Sequence, residues 1–317
     1  TLAEAAHVPL LPGTGLLSSL DEALFEAARI GYPVMLKSTA GGGGIGMQRC
    51  FTAEELRSAY SSVKRLSENN FSNGGMFLEK FIENARHIEV QMFGDGQGHV
   101  IAIGERDCSA QRRNQKVIEE CPAPNLSDDV RQALQATAVQ LGKQVSYRSA
   151  GTVEYVYDDL SGQFYFLEVN TRLQVEHGVT EQVYGVDLVR WMIELGAGEL
   201  APLESLANVL TPKGHAIQVR LYAEDPAKNF RPSAGLISHV SFPEQDRKTC
   251  RIDHWFDAGL EVPPFFDPML AKLIAWSANR EQTIQQLSTM LQQSDVYGIE
   301  TNRDYLLALL NSDVVQQ

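Results

Sequence analysis

The sequence predicts an α+β fold, in which helices and antiparallel hairpins follow one another along the chain. Two stretches begin with the spacing of a capping box, in which Ser or Thr is followed three residues later by Glu, and each predicts a helix. Two other regions contain paired runs of alternating apolar and polar residues around a short turn, which is the pattern of a β-hairpin. Because a further amphipathic stretch separates the two hairpins, we expect helices and strands to share each domain.

The first part of the chain is predicted to contain two helices and two strands. Ser19 and Glu22 form the first capping box, and Thr52 and Glu55 form the second. The predicted elements are a helix at 19–30, a strand at 32–37, a helix at 53–66 and a strand at 75–82. A run of glycines at 41–46 lies between the first strand and the second helix.

The rest of the chain is predicted to contain the two hairpins and further helices. The hairpin strands are predicted at 87–93 with 99–105 and at 151–157 with 163–170, and the helices at 128–141 and 302–310. A segment at 197–214 with two prolines and two glycines marks a boundary. We therefore expect domains at 1–84, 85–207 and 208–317.

Composition excludes several classes of protein. The 317 residues are 44% hydrophobic and carry a net charge of −13, so the chain can bury a core but would repel nucleic acid. The four cysteines lack a CxxC pair, which argues against a zinc site or a disulfide framework. No stretch approaches the roughly 18 apolar residues that a membrane-spanning helix needs. We expect a soluble cytoplasmic protein with buried, reduced thiols and neither nucleic acid nor membrane as a partner.

The glycine run is a possible phosphate-binding loop. It lacks the GK[ST] ending of a P-loop and the strand–helix context of a dinucleotide fold. Lys37 stands just before it at the end of a predicted strand, where an ammonium could meet phosphates bound by backbone N–H groups. A plain flexible loop is the alternative.

The second hairpin predicts a metal site. If Glu154 lies opposite Glu168, two like charges face each other, and a cation between them would relieve the repulsion. Asn170 follows on the same face of the strand and adds an oxygen ligand. Two carboxylates and an amide oxygen suit Mg²⁺. The alternative is an ordinary hairpin with a solvated charged face.

Arg172, Gln174 and Glu176 follow the metal site at intervals of two residues. If the segment stays extended, a guanidinium could hold a small planar oxyanion and a carboxylate could act as a general base. An internal ion pair between Arg172 and Glu176 is the alternative.

A cationic cluster at 112–116, which ends in Lys116, follows the first hairpin and could face a bound anion, with a solvated loop as the alternative. His87 and Gln111 could contact a nucleotide, although a lone histidine at a strand start is more often structural.

Six segments, in order along nearly the whole chain, resemble the biotin carboxylase family. They are KSTAGGGGIGM at 37–47, FLEKFIENARHIEVQ at 77–91, ERDCSAQRRNQKVIEECPAP at 105–124, FLEVNTRLQVEHGVTE at 166–181, HAIQVRLYAEDP at 215–226 and VPPFFDPMLAKLI at 262–274. The resemblance implies an ATP-grasp fold with a lid subdomain, followed by the C-terminal domain of biotin carboxylases.

The resemblance also implies roles for individual residues. The residues implied to bind ATP are Lys37, Gly42, Gly43, Gly44, Glu79, Lys80, His87 and Gln111. Magnesium, with manganese as an alternative, would bind Glu154, Glu168 and Asn170. Bicarbonate would bind Arg172, Gln174 and Val175. Glu176 would act as base, Lys116 would neutralise charge, and Arg220 would stabilise the biotin enolate.

By the same resemblance, the reaction is the carboxylation of biotin on a carrier domain with ATP and bicarbonate. Ile45 stands where members commonly have a basic residue and Asn114 where many acyl-CoA carboxylases have His, which points to a urea carboxylase-like enzyme. The alternatives are an acyl-CoA or pyruvate carboxylase, or a fragment that retains only nucleotide binding or carrier docking. We expect an N-terminal domain before Thr1, biotinyl carrier and carboxyltransferase domains elsewhere in the parent, and a homodimer as a further possibility.

Overall fold

A computed structural model describes residues 2–39, 46–70 and 75–316 of the protein. Contacts divide the chain into two compact units. The first unit comprises residues 3–85 with 156–166, and the second comprises 86–155 with 167–317. Both contain helices and antiparallel strands, so the predicted α+β class is confirmed.

The first unit is a small sheet covered by two helices. Its elements are α1 (Leu2–Ala5), α2 (Leu20–Ile30), β1 (Val34–Ser38), β2 (Met47–Cys50), α3 (Ala53–Asn70) and β3 (Met76–Lys80). The three strands pair antiparallel in the order β2-β1-β3. Alternate residues of β1 are buried, and Val34 and Leu36 pack with Ala23, Ala27 and Leu56 from the helices. The glycines at 41–44 lie outside the described residues.

Both predicted helix starts carry the expected caps. The Ser19 hydroxyl accepts a hydrogen bond from the Glu22 amide at 3.1 Å, and Thr52 does the same for Glu55 at 3.2 Å. The Glu22 carboxylate reaches back to the amide of Ser18 at 2.7 Å, one residue before the position that an ideal capping box uses. The second helix continues to residue 70 rather than ending at 66.

The second unit is organised around an eight-stranded sheet. The strands of this part of the chain, both in that sheet and in the small pairs beside it, are β4 (Ala85–Asp95), β5 (Val100–Arg112), β6 (Gln115–Cys121), β7 (Arg148–Asp158), β8 (Gln163–Asn170), β9 (His215–Tyr222), β10 (Glu224–Asp225), β11 (Arg231–Pro232), β12 (Gly235–Leu236), β13 (His239–Ser241), β14 (Cys250–His254), β15 (Glu261–Val262), β16 (Met269–Ser277) and β17 (Asp295–Tyr297). The order in the large sheet is β14-β16-β9-β6-β5-β4-β7-β8, and β10 to β13, β15 and β17 form small pairs beside it.

Helices cover this sheet. They are α4 (Asp128–Gln144), α5 (His177–Tyr184), α6 (Leu188–Ala197), α7 (Leu203–Ala207), α8 (Arg280–Gln292), α9 (Arg303–Leu310) and α10 (Asp313–Gln316), with a short 3-10 turn at Pro226–Lys228. α4 packs on β5, α5 on β9, and α8 on β9 and β16. The pairing of β6 with β9 joins two parts of the chain that are far apart in sequence, which hairpin patterns alone do not reveal.

The segment at 171–176 does not stay extended. It bends after β8 and forms a turn, and α5 begins at His177. The carbonyl of Gln174 accepts hydrogen bonds from the His177 amide at 3.3 Å and from the His177 ring at 2.7 Å. These hydrogen bonds form the turn that precedes the first residue of α5, so the chain cannot continue as a strand here.

All four cysteines are buried and unpaired, as the composition predicts. Within the described part of the chain, every helix is too short or too polar to cross a lipid bilayer.

Candidate active site

Lys116, on β6, lies among three carboxylates. Its Nζ is 2.7 Å from Glu89 Oε2, 2.7 Å from Glu176 Oε1 and 3.1 Å from Glu154 Oε1. The three glutamates come from β4, the turn before α5 and β7, and each is at most 5% exposed. Burial opposes the charge on Lys116, but the surrounding carboxylates raise its pKa above the ordinary value. The ammonium is therefore permanently charged, and it holds three acidic groups around one point.

A buried arginine forms an ion pair with one carboxylate of this cluster. Arg106, on β5, is 0% exposed, and its Nε donates to Glu89 Oε1 at 2.6 Å. Its other N–H groups donate to four neutral acceptors at 2.8–3.5 Å, namely Gln91, Thr180, Thr152 and Gln174. Burial lowers the pKa of Arg106, but the charges of Glu89 and Glu176 together with the hydrogen bond to Glu89 raise it above the ordinary value, so the guanidinium stays protonated. No sequence motif singles out Glu89 or Arg106. Glu89 alternates with Ile88 and Val90, which is a usable signal of a buried charge, whereas Arg106 lies between two acidic residues and gives no such signal.

The three residues of the predicted metal site lie together. Asn170 Nδ2 donates to Glu154 Oε1 at 2.9 Å and to Glu168 Oε1 at 3.3 Å. A rotation of the amide about its terminal bond would exchange this donor for the Oδ1 acceptor. The set then offers three oxygen ligands, which is the donor chemistry that Mg²⁺ and Mn²⁺ accept. The residues present therefore fit a hard divalent cation.

A second group of ligand atoms adjoins this set. Atoms of His87, Glu89 and Glu154 lie within 4.8 Å of one another, as do atoms of Glu89, Cys108 and Glu176. Glu89 already pairs with Arg106 and Lys116, so its carboxylate is less available to a metal than that of Glu168.

Glu154 is held as a carboxylate. Burial raises its pKa, but the adjacent His87 ring and the charge of Lys116 outweigh burial and lower it to about 2. The His87 Nε2 lies 3.0 Å from Glu154 Oε2, and Gln174 Nε2 donates to Glu154 Oε1 at 2.9 Å. Gln111 lies on the other side of the His87 ring, with its Nε2 3.3 Å from Nδ1. His87 and Gln111 are thus connected to the metal-site carboxylate.

Arg220, on β9, closes the cluster on the side of Glu176. Its Nη2 donates to Glu176 Oε2 at 3.0 Å, and its Nε donates to Glu119. Glu176 therefore sits between two cations, Lys116 and Arg220. The ion pair of Arg172 with Glu176, which was the alternative, is not formed.

Arg172 lies in the bend after β8 and is exposed. Within the described residues, its guanidinium has no ion pair or hydrogen bond. The Val175 carbonyl, three positions further on, accepts a hydrogen bond from Lys272 Nζ at 3.0 Å. Gln174 is buried beside Glu154. The predicted bicarbonate residues thus comprise one free cation and two groups that are held in place.

The rest of the cationic cluster at 112–116 has other partners. Arg112 donates to both oxygens of Glu224 at 2.8 Å and lies 4.1 Å from the centre of the Phe230 ring. Arg113 and Asn114 form the two-residue turn between β5 and β6, with φ of 52° and 63°. Both are left-handed, as a type I′ turn requires. Of this cluster, Lys116 is the member that joins the carboxylates.

Three of the predicted ATP residues lie in the first unit. Lys37 and Glu79 form an ion pair across β1 and β3. Lys80 donates to the carbonyls of Gly31 at 2.9 Å and Tyr32 at 3.0 Å. The predicted loop glycines Gly42, Gly43 and Gly44 lie outside the described residues, as does Ile45.

Comparison with known proteins assigns the chain to a family. Residues 1–204 match the family described as carbamoyl-phosphate synthase L chain, ATP binding domain, and residues 218–317 match the biotin carboxylase C-terminal domain. The biotin carboxylase of Halalkalibacterium halodurans is 45% identical over 317 residues, which cover 100% of this chain and 69% of that protein. The chain belongs to the biotin carboxylase family. The predicted ATP-grasp fold with a biotin carboxylase C-terminal domain is therefore confirmed.

Two further members give the family resemblance more detail. Urea amidolyase of Saccharomyces cerevisiae is 50% identical over 312 residues, and these cover 98% of the chain but only 17% of that protein. The biotin carboxylase domain dimer of Hydrogenobacter thermophilus 2-oxoglutarate carboxylase, solved with MgADP, ADP and bicarbonate, has a TM-score of 0.87 and 39% identity. The match covers 98% of this chain and 68% of that one.

Proposed function

We propose that this biotin carboxylase domain uses ATP and bicarbonate to carboxylate biotin on a carrier domain, as part of a urea carboxylase-like enzyme. Family membership and the relatives named above support the reaction, and the 50% identity to a urea amidolyase supports the subfamily. The observation that carries the proposal is the placement of Glu176 between Lys116 and Arg220, four positions after the unpaired Arg172.

Bicarbonate would bind at Arg172, whose exposed guanidinium is free to grip two oxygens. The side chain of Gln174 and the backbone of Val175 would complete the site. Glu176 Oε1 or Oε2 takes the bicarbonate proton, and the freed oxygen attacks the γ-phosphorus of ATP as the bond to the departing ADP breaks. Lys116 lies 2.7 Å from Glu176 and offsets the charge that gathers there.

The metal would bind at Glu154, Glu168 and Asn170, where the oxygen donors fit it. Mg²⁺ held there supplies positive charge beside the phosphates of the nucleotide. His87 and Lys116 keep Glu154 ionised, so the chain itself maintains the charge of this ligand at neutral pH.

In the second half of the reaction, the carboxyphosphate breaks down to CO₂ and phosphate. The phosphate takes the proton from the ureido N1 of biotin, and this nitrogen attacks CO₂. Arg220 stabilises the negative charge that develops on the ureido oxygen. A site that excludes water protects the mixed anhydride from hydrolysis.

The nucleotide would also contact Lys37, the loop glycines Gly42, Gly43 and Gly44, Glu79, Lys80, His87 and Gln111. We propose that the chain divides into domains at 1–84, 85–207 and 208–317. We further infer that the carrier and a carboxyltransferase act with this chain, that it forms a homodimer, and that it works in the cytoplasm. The four buried free thiols support the location, and one related biotin carboxylase domain solved as a dimer supports the homodimer.

The division of roles is tested by ADP release from the protein with MgATP, bicarbonate and biotin. Arg172→Ala should lower bicarbonate-dependent release by at least about 100-fold and change ATP affinity less than about twofold. Arg190→Ala, which removes another exposed arginine of the same unit, is the matched control. Equal loss of ATP affinity and turnover in Arg172→Ala would contradict the assignment.

The metal site is tested separately. Glu168→Gln should remove most Mg²⁺-dependent nucleotide binding, measured by calorimetry with and without the metal, because one of two carboxylates is lost. Glu204→Gln, at an exposed glutamate of the same unit, should leave binding unchanged. Wild-type affinity in Glu168→Gln would place the metal elsewhere.

The acceptor is identified by comparing urea, guanidine, acetyl-CoA and pyruvate in the same ADP-release assay on the full-length protein. Stimulation by urea or guanidine would support the subfamily. Stimulation by acetyl-CoA or pyruvate alone would retain the biotin carboxylase chemistry and refute the urea carboxylase assignment.

A further inference from the structure

Glu119 is a buried carboxylate that forms an ion pair with Arg220. It lies on β6, opposite Gln218 of β9, and is 0% exposed. One carboxylate oxygen accepts from Arg220 Nε and the other accepts from Gln218 Nε2 at 3.0 Å. Both oxygens are therefore used to fix side chains of β9.

The guanidinium of Arg220 contacts two carboxylates through different nitrogen atoms. Nε faces Glu119, and Nη2 faces Glu176. The two contacts differ in one respect, because under the proposed function Glu176 gains and loses a proton in each cycle. A protonated Glu176 no longer attracts Arg220 as an ion pair, and Glu119 is then the remaining carboxylate that holds it.

We propose that Glu119 is a positioning residue that keeps the guanidinium of Arg220 in place while Glu176 changes its charge. The proposal rests on the proposed function, in which Glu176 is the base and Arg220 stabilises developing charge on biotin.

The neighbouring residue on β6 shows what an ordinary structural glutamate looks like here. Glu120 points to the other face of the strand, where it pairs with Arg280 at 2.7 Å and with His215 at 2.8 Å. Burial raises the pKa of Glu120, but His215 and Arg280 lower it further, below the ordinary value. Burial raises the pKa of Glu119 to about 7 despite Arg220. The geometry distinguishes the two glutamates, because Glu119 contacts Arg220 whereas Glu120 contacts His215 and Arg280 on the other face.

The surroundings make a conservative test possible. Gln218 Oε1 is buried and has no hydrogen-bond partner among the described residues. In Glu119→Gln, the Gln218 amide can rotate so that Oε1 accepts from the new Nε2, while the new Oε1 still faces Arg220. This variant should therefore fold, and it lacks only the charge. Glu120→Gln is the matched control, because it neutralises the adjacent, partly buried glutamate, which pairs with His215 and Arg280 instead of Arg220.

The first measurement is hydrogen exchange at Arg Nε by NMR, with the Arg220 signal assigned from Arg220→Lys. Protection of this N–H should survive in Glu176→Gln and Glu120→Gln, and exchange should be at least about tenfold faster in Glu119→Gln. Loss of protection in Glu176→Gln with retention in Glu119→Gln would overturn the proposal. This result does not depend on turnover.

The second measurement is kinetic. Glu119→Gln should lower kcat for biotin-dependent ADP release at least about tenfold and leave KM for ATP within about twofold, while Glu120→Gln keeps both values. In an Arg220→Ala background, Glu119→Gln should have no further effect on kcat, because it acts through that side chain. An additive loss would overturn the proposal. A wild-type protein without biotin-dependent release would refute the proposed function instead, and the exchange data alone would then decide the role of Glu119.

Discussion

Replacement of Arg106 by Met should expose the cost of the buried charge network. Methionine keeps an unbranched, flexible apolar stem, but the guanidinium and its five N–H donors disappear. Glu89, which like Arg106 is 0% exposed, loses its 2.6 Å partner. Lys116 remains 2.7 Å from Glu89 and compensates for part of the loss.

The expected destabilisation is about 4 kcal/mol. Removal of one member of a buried ion pair costs about 3–5 kcal/mol, because the other charge stays in a medium of low polarity. Four neutral acceptors also lose a donor, at about 1 kcal/mol for a well-formed bond and less for the longer ones. The contact of Glu89 with Lys116 compensates for part of this sum and brings the expected cost back to about 4 kcal/mol.

Urea unfolding followed by tryptophan fluorescence measures this cost, since Trp191, Trp255 and Trp276 all lie in the second unit. The double variant Arg106→Met, Glu89→Met should recover about 2 kcal/mol relative to Arg106→Met, because it removes the stranded carboxylate and leaves Lys116 with two others. A single-variant loss below about 1 kcal/mol, or a double variant less stable than the single, would refute the view that charge burial dominates at this site.

Three other outcomes follow from packing and burial. The four thiols should resist iodoacetamide in the folded protein and all react in urea, and mass spectrometry counts the labels. The reason is burial, which raises the pKa of Cys50 to about 11 and that of Cys121 to about 12. Fast labelling of the native protein would contradict this burial. Gly94→Ala should cost at least about 2 kcal/mol in urea unfolding, since a Cβ there would lie 2.0 Å from the Tyr147 carbonyl oxygen, whereas Gly196→Ala, with nothing within 4 Å, should not destabilise. Burial and the charge of Lys272 lower the pKa of His177, so the unfolded chain takes up a proton more readily than the folded protein. The free energy of unfolding should therefore fall as the pH drops below about 6.5, and the midpoint of urea unfolding should fall less steeply with pH in His177→Gln. If the midpoint falls with pH equally steeply in the variant and the wild type, His177 makes no such contribution.

Local patterns were sufficient for the elements that depend on local interactions. The caps at Ser19 and Thr52, and the two hairpins with their short turns, are each determined by residues a few positions apart. The spacing of polar residues after Asn170 fits a strand and a turn equally well, so it does not determine the conformation. The start of α5, which requires a turn before His177, decides that conformation.

The site residues that local patterns miss are those whose partners are remote. Arg220 contacts Glu119 across 101 positions, and Arg106 contacts Thr180 across 74. Such pairs depend on the strand order of the large sheet, in which β6 lies between β5 and β9. Neither periodicity nor a motif encodes that order, so Arg106 and Glu119 looked like ordinary charges in strands.

Lys116 links the two halves of the proposed chemistry. Its Nζ contacts Glu154, a predicted metal ligand, at 3.1 Å and Glu176, the predicted base, at 2.7 Å. A cation bound beside Glu154 would repel the ammonium, and the ammonium would then interact more strongly with negative charge near Glu176. Because both contacts are nearly shielded from water, this electrostatic coupling is weakly screened. The same lysine thus provides a physical route by which occupation of the metal site could prepare the base side for bicarbonate.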